Sequence, residues 1–139
     1  MFDPTRDQVR DFFFETWRKY RAGLPLVGVE GPGLDIILVH PEYHRFLEQI
    51  EKNKERDFSG EANPFLHMSL HLALEEQLSI DQPPGVRAGF ERLLARKGDR
   101  HEAVHEAIEC LAEMMWRSQK DKAPPDAGLY LECLKRRAG

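Results

Sequence analysis

Six histidines occur in the chain, and all six fall into pairs four residues apart: His40 with His44, His67 with His71, and His101 with His105. Six histidines scattered at random over 139 residues would give about 0.2 such pairs. Four is the spacing that stacks two side chains on one helix face, so each pair can present two imidazoles to one point. Two pairs extend by the same step to a carboxylate, as His67-x3-His71-x3-Glu75 and His101-x3-His105-x3-Glu109. Imidazole with carboxylate suits zinc, iron, manganese or nickel, and facing helices of a bundle are a natural place to build such a centre. The plainer reading is that each buried histidine hydrogen-bonds a neighbouring carboxylate, a role open to Glu75 and Glu109.

A helix advances about 100° per residue, which tells which way the pairs point. With His67 as origin, Leu74 and Leu78 fall beside it, His71 lies at about 40° and Glu75 at about 80°, while Ser69 and Glu76 lie opposite. On the later helix, Val104, Ile108, Ala112 and Met115 surround His101, and His105 sits between that arc and Glu109, close to Trp116. Both pairs are expected to face the core, where ring nitrogens need partners. His40 and His44 straddle Pro41 at a helix start, which makes His40 a cap or a surface residue. Glu102-x-x-His105 matches half of a carboxylate-bridged di-iron motif, but the other half is missing.

The elements that must position these side chains are punctuated clearly. Asp3-Pro4 is a cap followed by a first-turn proline, and Val9, Phe12, Phe13, Trp17 and Tyr20 trace a helical face ending near Gly23. Residues 24–33 form a Pro- and Gly-rich connection, and Leu34–Val39 is a short apolar run, strand or buried helix. A helix from Pro41 to about Lys54 precedes a polar loop over 54–62. Asn63-Pro64 opens a helix to about Ser79, broken by Asp81-Gln82-Pro83-Pro84-Gly85. The next helix stops near Gly98, Asp99 caps the longest one to about Lys120, and Pro124-Pro125-Asp126 resets the chain for a last one through Lys135. Trp17, Trp116 and Phe12–Phe14 read as core. Six helical segments without strand alternation predict an all-α fold, a compact helical bundle or orthogonal array forming one domain over 1–139.

Composition bounds the rest. Hydrophobic content of 41% with 32% charged residues is that of a globular chain rather than a disordered one. A net charge of −4 argues against nucleic acid as partner. Charges at Asp3, Arg6, Asp7, Arg10 and Asp11 interrupt any leader-like apolar run, and no stretch approaches the roughly 20 apolar residues of a membrane span. The two cysteines, Cys110 and Cys133, form no C-x-x-C and read as small packing residues of a reducing compartment. A cytoplasmic location is expected.

The blocks HPEYH (40–44), NPFLHMSLHLALEEQLSIDQPPGVR (63–87) and HEAIECLAEMMWRSQ (105–119) resemble a family of short bacterial proteins known as domain of unknown function 1841. The matching positions are His40, Pro41, Tyr43 and His44, then Asn63, Pro64, His67, His71, Glu76 and Gln77, and downstream His105, Glu109 and Trp116. The resemblance implies no activity, cofactor or substrate. It does favour His105 over His101, and Glu109 over Glu75.

The expectation is a metal-binding helical protein with His67, His71 and His105 as ligands to a divalent metal. Glu109 would be a ligand or an outer acceptor, with a position left for water; His101, His44 and Glu75 are further candidates. Hydrolysis is the default chemistry for such a centre, because the metal lowers the pKa of its water. The competing reading is a non-catalytic interaction module with structural histidines, a homo-oligomer or a binder of another protein, using Ile80–Val86 as its surface. A bundle cavity for an apolar ligand is a third.

Overall fold

A computed structural model of the chain describes residues 6–58 and 63–139. Among these residues the fold is all-α, with no strand: α1 (Arg6–Ala22), α2 (Glu30–Leu38), a 3-10 turn (Pro41–Tyr43), α3 (His44–Leu47), α4 (Ile50–Asn53), α5 (Pro64–Ile80), α6 (Val86–Lys97), α7 (Arg100–Asp121) and α8 (Ala127–Arg137). The expected Asp3-Pro4 cap and part of the 54–62 loop lie outside the described residues. The apolar run after Leu34 is helix, entered earlier than expected. The single helix expected over 41–54 is instead a turn and two short helices, broken at Gln49, whose ψ of 63° lies outside the helical region. None of the described helices is long and apolar enough to cross a membrane.

Residue contacts group into two compact units, Met1–Leu72 and Ala73–Gly139, with the boundary inside α5. In the first unit, Phe13, Phe14 and Trp17 of α1 pack with Ile36 and Ile37 of α2, Leu47 of α3, Phe58, and Phe65, Met68 and Leu72 of α5. Gly33 lets α2 approach α1 closely, since a Cβ there would stand 2.8 Å from Phe12 Cζ. Glu30 fixes the start of α2. It accepts from the Val27 N–H at 2.9 Å and from Lys19 Nζ at 2.9 and 3.0 Å, and these bonds hold its carboxyl below the usual carboxylate range. Buried Arg10 donates to the carbonyls of Asn53, Lys54 and Arg56 and lies over the Phe65 ring, so α1 clamps the segment after α4.

In the second unit α6, α7 and α8 bury Val86, Phe90, Leu93, Val104, Ile108, Leu111 and Leu134. The caps are those the sequence implies: Asp99 accepts from His101 N at 3.0 Å and Asp126 from Leu129 N at 3.3 Å. Two expectations are corrected. Trp116 is 58% exposed rather than core, because α7 buries its Ala103–Leu111 portion and leaves Met115, Trp116 and Arg117 outside. Cys110 and Cys133 are joined as a disulfide between α7 and α8 rather than packed as thiols. A disulfide persists in oxidising compartments, so the cysteines no longer support a cytoplasmic location.

Tyr130 is fully buried, and its hydroxyl donates to Gln77 Oε1 at 2.7 Å, tying α8 to the end of α5. Tyr130→Phe is expected to cost about 1 kcal/mol in a denaturant titration, the usual net worth of such a bond. Burial also holds this phenol far above its ordinary pKa. The native state therefore keeps a proton that the unfolded chain releases near pH 10. Stability from this group is complete below about pH 10 and falls as pH rises beyond it, and Tyr130→Phe should flatten that decline.

Candidate metal centre

Two elements of the first unit supply three histidines. Asn63 Oδ1 accepts from Phe65 N at 3.0 Å, and with Pro64 in the first turn this sets the start of α5. Phe65, Met68 and Leu72 anchor the helix in the core, which fixes the adjoining stripe of His67 and His71. The third histidine is His40, at the N-terminal boundary of the 3-10 turn. With φ −126° and ψ 66°, His40 leaves the helical region before Pro41, so the chain breaks away from α2 there and the turn directs the ring back towards α5.

The three Nε2 atoms converge. His67 Nε2 lies 3.2 Å from His40 Nε2 and 3.1 Å from His71 Nε2. The rings meet edge to face, with centroids 5.0 Å apart for His40–His67, 4.7 Å for His40–His71 and 4.7 Å for His67–His71. His40 and His71 are 4% and 5% exposed, and His67 is half-buried. Tyr43 stacks parallel on His40 at 5.2 Å and forms one wall.

Hydrogen bonding sets the tautomer of His40. Its Nδ1 lies 2.7 Å from the Ile36 carbonyl, which can only accept, so Nδ1 carries the proton and Nε2 presents a lone pair to the cluster. The single His67 Nε2 cannot both donate to one neighbour and accept from the other. A cation among the three would be held through the Nε2 of each ring. Zinc–imidazole bonds of about 2.0–2.1 Å place tetrahedral donors about 3.3–3.4 Å apart, close to the spacing observed here.

The other sequence candidates go elsewhere. His44 Nε2 donates to the Ile37 carbonyl at 2.9 Å while its ring stacks on Trp17 at 4.3 Å. Glu75 pairs with Arg100 at 2.9 Å. Glu109 accepts from Arg137 and its side chain is 62% exposed. Exposed His101 meets half-buried His105 edge to face, with centroids 4.2 Å apart, so of this pair it is His101 that turns from the core. His40, read from the sequence as a cap or a surface residue, is the histidine of its pair that joins the cluster. Its signal was the HPEYH block, where only the backbone turn at Pro41 decides which of the two histidines reaches α5.

The chain belongs to the family described as Domain of unknown function (DUF1841), whose profile matches residues 5–136. No curated protein and no solved structure matches it.

Proposed function

We propose that this protein binds one divalent transition-metal ion through the imidazoles of His40, His67 and His71. The reading is carried by the approach of three Nε2 atoms, with His67 Nε2 at 3.2 Å from His40 Nε2 and 3.1 Å from His71 Nε2. His105, which the sequence offers as a further ligand, is supported by its sequence pairing alone. An imidazole set favours zinc, iron or nickel, whereas manganese prefers oxygen donors. The sequence included manganese only because Glu75 and Glu109 stood as ligands, and both are held by arginines. The chemistry offered is activation of a metal-bound water and polarisation of a bound carbonyl or phosphoryl oxygen.

The test is thermal unfolding with and without chelator. A metal bound only to the native state adds about 2.7 kcal/mol when free metal stands at 100 times Kd. Chelator is expected to lower the melting temperature, and zinc, iron(II) or nickel to restore it. An identical transition under all of these conditions would contradict the reading.

A second reading, a protein-interaction module, draws on a different observation: Trp116 is 58% exposed beside Met115, and exposed aromatics often anchor interfaces. The Ile80–Val86 surface is weaker, since Val86 is fully buried and Ile80 is its one exposed large hydrophobic residue.

A further inference from the structure

His40 differs from His67 and His71 in how its ring is held. The latter two ride on α5, which Phe65, Met68 and Leu72 anchor in the core. His40 has no helix to aim it, since it lies outside the helical region between α2 and the 3-10 turn. Two neighbours take over that role. The Ile36 carbonyl accepts from His40 Nδ1 at 2.7 Å, which pins one atom of the ring and leaves it free to pivot about that bond. The Tyr43 ring lies flat against the imidazole, with centroids 5.2 Å apart and planes 4° from parallel, and blocks the pivot. The backbone closes the turn over which the two rings meet, with Tyr43 N–H donating to the His40 carbonyl at 2.9 Å. Tyr43 also faces His67 edge to face at 6.3 Å, so one ring borders both histidines whose Nε2 atoms lie 3.2 Å apart.

We propose that Tyr43 is a positioning residue of this centre, whose flat ring holds the His40 imidazole in the orientation that brings its Nε2 to that of His67. This rests on the metal-binding reading above. A side chain already held in its bound orientation loses less freedom when an ion arrives, and outer partners of metal ligands carry about 10–100-fold of affinity. The contribution comes from the face of the ring, since stacking is a property of the aromatic system. Phenylalanine should therefore replace Tyr43, and a branched aliphatic side chain should not.

The experiment titrates the full chain and two variants with cobalt(II), whose visible bands report coordination where zinc is silent. Tyr43→Phe is expected to match the wild-type affinity and bands. Tyr43→Leu keeps an apolar side chain at this half-buried position without a flat face. It is expected to bind cobalt at least about tenfold more weakly, with bands that differ from wild type even at saturation. Band shape at saturation is the deciding readout, because a loss of packing stability alone leaves it unchanged. Wild-type affinity and bands in Tyr43→Leu would overturn the positioning role and leave metal binding standing. So would equal losses in Tyr43→Leu and Tyr43→Phe, or weaker binding by Tyr43→Leu with wild-type bands at saturation. Failure of cobalt bands to form in the wild-type chain would overturn the metal reading itself, and this inference with it.

Discussion

His71→Ala is expected to strip the metal from the protein while leaving its helices in place. His71 is 5% exposed with its Nε2 3.1 Å from that of His67, so its loss removes a donor from the centre of the cluster. Losing even an outer partner of a metal ligand costs about 10–100-fold in affinity, and losing a ligand itself costs more. The helix should survive: Phe65, Met68 and Leu72 hold α5 in the core without the imidazole, and alanine is the better helix former. Metal content and circular dichroism on one sample separate the two effects. His44→Ala is the control, because His44 bonds the Ile37 carbonyl and stacks on Trp17 instead of joining the cluster; that variant should keep its metal. Full metal retention by His71→Ala would remove His71 from the site.

The second large effect concerns the other unit. Reducing the Cys110–Cys133 bridge, which spans a sequence separation of 23, is expected to cost about 3 kcal/mol on the chain-entropy account. That corresponds to a fall in melting temperature on the order of 10 °C. A phosphine reductant that does not chelate should produce the shift, and a Cys110→Ala, Cys133→Ala variant should melt at the reduced value with or without reductant. A melting temperature indifferent to reductant would show that the bridge is not formed in solution. The location of the protein turns on the same result, since the bridge fits an oxidising compartment and free thiols a reducing one.

What could be read from the sequence was local. The spacing of His67 and His71 places both on one face of α5, and of the face traced on α1 by Val9, Phe12, Phe13, Trp17 and Tyr20, Phe13 and Trp17 are buried while Tyr20 is 45% exposed. Helical periodicity depends only on neighbours along the chain. The caps at Asn63, Asp99 and Asp126 are equally local. What failed depended on partners far away. Glu75 and Glu109 sit at ligand spacing, yet they are held by arginines 25 and 28 residues later. Cys110 meets Cys133 only because α8 packs against α7. His40 looked like a helix cap, since nothing in its spacing shows that a 3-10 turn carries it to α5. The short helices around Gln49 were hidden for a related reason: Asn53 Nδ2 bonds the Phe46 carbonyl at 2.9 Å across a break that periodicity does not register.

The measurement that bears most directly on the central claim is metal content by elemental mass spectrometry. It should be made on untagged protein prepared without chelators or immobilised metal. Close to one zinc, iron or nickel per chain is expected, lost on replacing His40, His67 or His71. Metal far below one per chain, not recovered when each ion is added back, would contradict it and leave the three converging imidazoles as a structural cluster.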